Sequence, residues 1–201
     1  MNPKVLLLDE SLCSLDLKLK KSMQIELKKI QKKLGITFIY VTHAQDEALS
    51  MSDRIVVIKD GKIEQIDTPE NIYHQPLSIF VADFIGDANI LDAKVIEKND
   101  NLKVTILDGK EIEIKSTENF KKNENIKLII RPENVRVSKT TKKLISGVIS
   151  GITYSGDYTI LTIMVSEDLY INAKVIDENK FKDDETVYLD FDENFIVPLR
   201  K

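Results

Sequence analysis

Asp9 and Glu10 follow four consecutive aliphatic residues, Val5-Leu6-Leu7-Leu8. An apolar run without alternation predicts a strand covered on both faces. The two acids then stand at the carboxyl end of that strand, where open parallel sheets bind ligands. Carboxylates that cannot reach water there are costly unless something positive meets them. A hydrated Mg²⁺ held by one carboxylate, with the second polarising a water, removes that cost. Solvent removes it equally well if both acids simply project into water. His43 closes a second apolar run, Thr37-Phe38-Ile39-Tyr40-Val41-Thr42. An imidazole at that point can donate a hydrogen bond to a phosphate oxygen, although a single histidine is as readily structural or exposed.

What could bring these three residues together is the segment between the two strands. Leu19, Met23, Leu27, Ile30 and Leu34 recur at steps of four, four, three and four, which is the apolar stripe of one amphipathic helix. Asp16 is placed to cap its start and Gly35 to stop it. Strand, helix, strand is a right-handed parallel βαβ unit. Its geometry delivers Asp9, Glu10 and His43 to one edge of a sheet.

Beyond this unit, Ala44–Met51 reads as a short helix capped by Thr42 or His43. Asp60-Gly61, flanked by Arg54–Lys59 and Lys62–Asp67, reads as a two-residue hairpin. Pro69 opens another short helix, and Ser78–Ile85 forms one more that Gly86 stops. From there the texture changes to short strands and turns. The clearest strands are Leu102–Leu107, Glu111–Lys115, Ile126–Arg131, Leu144–Thr153, Thr159–Val165, Leu169–Val175 and Thr186–Phe191, with a hairpin at Asp108-Gly109. Strands at that spacing predict a small barrel. The lysine-rich run 116–125 reads as a loop. The boundary between the two parts is placed at Gly86.

Composition narrows the class. The 201 residues are 42% apolar and 31% charged with a net charge of −4, ordinary for a globular protein and without bulk attraction for nucleic acid or anionic lipid. No apolar run approaches the roughly 20 residues of a spanning helix. Cys13 is the one cysteine, so no internal disulfide or multi-cysteine metal site can form; it reads as a packing residue. Seven lysines between Lys18 and Lys33 could form a basic stripe, but they are spread round the polar face without interleaved aromatics and read as a solvated surface. Tyr154, Tyr158, Tyr170 and Tyr188 could stack bases on a barrel face, yet no basic groove accompanies them, so no nucleic-acid partner is expected.

Taken together, the tracts Val5–Glu10, Ser14-Leu15-Asp16, Tyr40–His43 and Gln45–Leu49 resemble the second half of an ABC transporter ATPase. In order they are similar to its Walker B strand with the glutamate that follows, its D-loop and its switch histidine. Met51–Gln65 and Thr68–Tyr73 continue the likeness. Arg131-Pro132-Glu133-Asn134-Val135 resembles the TOBE-type barrel appended to importer subunits, and Phe84–Leu91 with Glu185–Leu189 lean toward the spermidine/putrescine type over the sugar importers. The resemblance implies part of an α/β P-loop NTPase sheet over 1–86, followed by an all-β, OB-like TOBE barrel over 87–201. It implies ATP and Mg²⁺ as cofactors, with Asp9 holding Mg²⁺ through water, Glu10 as general base, His43 on the γ-phosphate and Asp16 coupling two ATPase subunits. The implied partners are membrane-spanning permease subunits, a second ATPase copy and an extracytoplasmic substrate-binding protein, with the chain peripheral on the cytoplasmic face of the membrane.

Three family features are missing. No G-x-x-x-x-G-K-[ST] phosphate cradle occurs, the seven glycines being scattered, and the glutamine loop and Leu-Ser-Gly-Gly-Gln signature are absent as well. Ser11 stands where the family has proline, and Ala44 where an acid commonly follows the histidine. The reading is therefore of a C-terminal portion that binds ATP weakly or not at all by itself. A sugar-type importer ATPase and a non-catalytic regulatory remnant are the alternatives.

Overall fold

In the computed structural model, which describes residues 3–12, 14–140, 145–176 and 181–200, the chain divides into two compact units, 1–75 and 76–201. Cys13 and Leu144 lie outside the described residues. Among those described, no helix is long and apolar enough to cross a membrane.

The first unit begins with strand β1 (Val5–Asp9), helix α1 (Leu17–Leu34) and strand β2 (Thr37–Val41). The strands pair in parallel with Val5 opposite Thr37 and Asp9 opposite Val41, so the predicted βαβ unit is present. Helix α1 has the predicted limits. Asp16 Oδ1 accepts from the backbone N–H groups of Lys18 (3.1 Å) and Leu19 (3.0 Å). At the far end Gly35 takes φ +62°, a left-handed turn that glycine adopts without a Cβ penalty, and returns its N–H to the Gln31 carbonyl.

Helix α2 (Gln45–Met51) follows, then the hairpin of β3 (Ile55–Lys59) and β4 (Lys62–Asp67), with Asp60 and Gly61 both at positive φ as a type I′ turn requires. The cap of α2 departs from expectation. Ala44 occupies the N-cap position without a side-chain bond, and the Thr42 hydroxyl instead accepts from the Ala44 N–H at 3.0 Å. Helix α3 (Pro69–His74) is capped by Thr68.

The expectation that Val5–Leu8 is covered on both faces is not met. Val5, Leu6 and Leu7 are exposed, as are Leu19, Met23, Ile30 and Leu34 of the α1 stripe. The reason is geometric. Two strands about 5 Å apart make a ribbon no wider than the roughly 10 Å helix it carries, so it cannot cover that helix and be covered in turn. Leu12, Ile55, Val57 and Ile72 are the buried apolar side chains of this unit among the described residues.

The second unit opens with helix α4 (Ile79–Phe84), capped by Ser78. Among the described residues ten strands follow: β5 (Asn89–Lys98), β6 (Leu102–Thr105), β7 (Glu111–Ile114), β8 (Asn125–Ile130), β9 (Val135–Ser138), β10 (Ile145–Tyr154), β11 (Thr159–Ser166), β12 (Leu169–Val175), β13 (Thr186–Phe191) and β14 (Val197–Arg200). The expected barrel takes the form of two five-stranded antiparallel sheets, ordered β12-β11-β10-β13-β9 and β14-β8-β5-β6-β7. They share one continuous apolar core, from Leu91 and Val104 on one sheet to Leu161, Ile171 and Leu189 on the other. A paired amide joins the sheets: Asn89 Nδ2 donates to the Asn172 carbonyl at 2.9 Å, and the Asn172 N–H donates to Asn89 Oδ1 at 2.7 Å.

The division falls before α4, not at Gly86. Ala82 is fully buried against Ile129 of β8 and Leu199 of β14, and the buried Arg131 guanidinium donates to the carbonyls of Ala82 and Gly86 at 2.8 Å and of Asp87 at 3.1 Å. A helix clasped in this way belongs with the sheets it covers. Glycine-stopped helicity marked the end of an element here, and the end of the first unit lies eleven residues earlier.

Candidate functional site

The parallel pairing of β1 and β2 ends with Asp9 beside Val41. One residue further, the Glu10 N–H still donates to the Val41 carbonyl at 2.9 Å, so the ladder ties the residue after β1 to the end of β2. Glu10 takes φ +44°, a left-handed conformation that a residue with a Cβ adopts at a cost of about 1–2 kcal/mol. Such strain gathers where surrounding structure over-determines a functional side chain. The turn brings the Glu10 carboxylate to His43, with Oε1 and Nδ1 3.1 Å apart. Both side chains are at least half exposed, so a ligand in solvent can reach them.

Of the four residues singled out from sequence, the structure brings Glu10 and His43 into contact and leaves Asp9 next to them at the same strand end. Asp16 lies at the amino end of α1, its carboxylate engaged by the cap. Among the described residues no group of three or more His, Cys, Asp or Glu is arranged to hold a metal. A divalent cation here would have at most one or two carboxylates and would need water and phosphate oxygens to complete its shell, which is the manner in which Mg²⁺ is usually bound.

Behind this pair lies a carboxylate that the sequence reading did not select. Glu47 of α2 is 1% exposed. Its Oε2 accepts from the Tyr40 hydroxyl at 2.6 Å and the Thr42 hydroxyl at 2.7 Å, and its Oε1 meets Lys20 Nζ of α1 at 2.7 Å. Burial by itself would push the Glu47 carboxyl up, but the Lys20, Tyr40 and Thr42 donors more than offset it and hold the group below the ordinary carboxylate range. Burial, with the Glu47 charge beside it, pushes the Tyr40 phenol up to about 12. Lys20 is held above its ordinary value chiefly by its bond to Glu47. A signal for Glu47 was available: it sits four residues before Met51, on the apolar side of a short helix.

The lysines of α1 divide between roles. Besides Lys20, Lys28 Nζ donates to the Ser50 carbonyl at 2.5 Å, and Lys29 pairs with Glu26 on the exposed surface. Of the four tyrosines considered for stacking, Tyr154 and Tyr170 are exposed, while Tyr158 lies beneath Lys174 Nζ at 3.9 Å from the ring centre.

Comparison with known proteins gives independent information. Residues 128–198 match the family described as TOBE domain. The chain is 46% identical over 192 residues to the spermidine/putrescine import ATP-binding protein PotA of Legionella pneumophila (strain Lens), a match covering 92% of this chain and 53% of that relative. It is 51% identical over 154 residues to the protein of the same name from Clostridium novyi (strain NT), covering 77% of this chain and 43% of that relative. Among solved structures, the cytoplasmic molybdate-binding protein ModG with molybdate bound aligns at a TM-score of 0.49 and 10% identity, over 56% of this chain and 96% of that one. The chain spans about half the length of the curated relatives it matches. By sequence it is similar to the spermidine/putrescine import ATP-binding proteins over the part of their length that it spans, and its residues 128–198 match the TOBE domain family.

Proposed function

We propose that this chain carries the hydrolytic rim of an ATP-driven importer subunit of the polyamine type. The observation that supports this most directly is the contact between Glu10 and His43 across the shared end of β1 and β2, 3.1 Å apart with Asp9 alongside. In this reading the first unit is part of an α/β P-loop ATPase sheet, and the second carries an OB-like TOBE barrel. The relatives' printed names support spermidine or putrescine as cargo and ATP as the nucleotide; permease subunits and a substrate-binding protein as partners, and a place on the cytoplasmic face of the membrane, belong to this proposal.

The roles follow from the groups. Phosphoryl transfer to water asks for positioning and for neutralisation of charge on the phosphate oxygens, and a bound Mg²⁺ would supply much of that neutralisation. Asp9 is the carboxylate that would hold it through water. Glu10 accepts the proton of the attacking water, and His43 donates a hydrogen bond to the terminal phosphate while keeping Glu10 oriented. Asp16, at the start of α1, lies where a second ATPase subunit would be met. This chain supplies only one side of the nucleotide site, because no run of backbone N–H donors around a Gly-Lys-Ser or Gly-Lys-Thr occurs in the sequence.

Two measurements test the proposal. The chain alone is expected to show no Mg²⁺-dependent ATP hydrolysis; turnover that disappears on Glu10→Gln would show that it grips nucleotide unaided. Joined behind the preceding portion of the Clostridium novyi relative, it hydrolyses ATP, and either Glu10→Gln or His43→Ala lowers the rate at least about 100-fold, as loss of a positioned proton acceptor does. A chimera that folds and binds ATP yet is indifferent to both substitutions overturns the assignment.

A further inference from the structure

We infer that Glu47 is a positioning residue, the buried node that fixes the loop bearing Glu10 and the loop bearing His43 in mutual register. The inference rests on the proposed role of that pair, and it goes further by assigning the group that holds the pair together. Two branches leave the Glu47 carboxylate. Through Tyr40, whose hydroxyl donates to Glu47 Oε2, it holds the strand residue paired with Leu8 and adjoining Val41, whose carbonyl accepts the Glu10 N–H at 2.9 Å. Through Thr42, whose hydroxyl donates to the same oxygen and accepts from the Ala44 N–H at 3.0 Å, it clamps the residues on either side of His43. The contact of Lys20 with Oε1 supplies the compensating charge that makes a carboxylate at 1% exposure tolerable. It also ties the node to α1, four residues after the cap at Asp16.

The geometry separates this from ordinary packing. A residue that only filled space would stabilise both loops through contact area. Glu47 instead acts through two hydroxyls that lead to different loops, so each branch can be cut alone. Tyr40→Phe removes the branch toward Glu10 and keeps the ring. Thr42→Val removes the branch to Ala44 and keeps the shape. Thr42→Ser keeps the hydroxyl and restores it.

The test uses the full chain without nucleotide, so it is read independently of any ATPase assay. Amide exchange is followed at Glu10 and Ala44, with Val57 and Gln65 of the β3–β4 hairpin as internal reference. The His43 imidazole nitrogens are followed by NMR, the chain having only two histidines. Tyr40→Phe is expected to speed exchange at Glu10 about tenfold and leave Ala44 unchanged. Thr42→Val is expected to do the reverse, with Thr42→Ser near wild type. Glu47→Gln releases both, and the displacement of the His43 nitrogen signals caused by Glu10→Gln falls to less than half its size in the Glu47→Gln background. Should Glu47→Gln also release the hairpin reference, the single-branch variants decide. Equal responses of Glu10 and Ala44 to Tyr40→Phe and Thr42→Val, or an undiminished effect of Glu10→Gln on His43 in folded Glu47→Gln, overturns the inference. An inactive chimera alongside the expected exchange pattern would instead remove the ATPase reading and leave the node standing.

Discussion

Glu10, His43 and Glu47 form a surface pair with a buried support, and pH acts on that support. The support has two titration limbs whose signs follow from its shifts. Glu47 is held below the ordinary carboxylate range, so its contribution is fully present above that range and is lost as pH falls through the depressed value. Tyr40 is pushed up to about 12; its neutral form is favoured by folding, so that contribution is complete below the ordinary phenol value of about 10 and is lost between there and about 12. The expected outcome is a first unit that loosens at both extremes. Ultraviolet tyrosinate titration checks the alkaline limb: the phenol missing in Tyr40→Phe is the last to ionise, and Glu47→Gln moves its ionisation toward lower pH by removing the neighbouring charge. A Tyr40 phenol ionising with the exposed tyrosines would contradict the burial seen here. At the same scale, Asp16→Ala removes the acceptor for two N–H groups of α1 and costs about 1 kcal/mol of helix stability, measurable by denaturant titration of the full chain. Asp16→Asn keeps the cap and so isolates any role of the charge between subunits.

Elements specified by short-range chemistry were legible, and those specified by what covers them were not. Helix α1 was read to the residue because its period, its aspartate cap and its glycine stop act within one turn of the chain. The β3–β4 hairpin followed from Asp60-Gly61 in the same way. The exposure of Val5–Leu7 was not legible, since an apolar strand carries no record of whether a covering layer is present. Strand β14 was missed because Pro198 argues against a strand interior; in the structure β14 is the edge of its sheet, paired on one side with β8, where a missing N–H does no harm. Strand β5 was not among the strands read, although Leu91, Ala93 and Val95 alternate and are buried. The site divides along the same line. Glu10 and His43 were readable from position after strands, whereas Glu47 needed three partners from α1 and β2 that meet only in the fold. One element also carries a close approach that can be tested. A Cβ on Gly147 of β10 would lie 2.6 Å from Ile163 Cγ2 and 2.8 Å from the Met164 carbonyl oxygen, and a backbone oxygen in a paired strand cannot swing aside. Gly147→Ala is expected to cost about 1–3 kcal/mol, read as a lower denaturation midpoint at unchanged m-value, while Gly151→Ala, with only Thr162 Cβ at 3.7 Å, costs little.

At the scale of the whole chain, stability and chemistry are unequally shared. The second unit closes two five-stranded sheets on one apolar core with the Asn89–Asn172 amide pair between them. The first unit keeps the candidate site on a two-stranded ribbon and leaves Val5, Leu7, Leu17, Ile25, Leu34 and Ile39 about half exposed or more. Burial of apolar area is the main favourable term in folding, so the two units cannot have equal stability against opening. Hydrogen exchange on the intact chain should show slow amides in β8, β10 and β11 and fast ones in β1, β2 and α1, with residues 76–201 folding when expressed alone and residues 1–75 binding a hydrophobic dye or aggregating. Equal protection in the two units would mean that the ribbon is stabilised by something other than burial. If the difference is found, the polypeptide that restores ATP hydrolysis in the chimera should also slow exchange in β1 and β2, because the layer that covers those strands and the layer that brings the phosphate cradle to Asp9 and Glu10 are then one and the same.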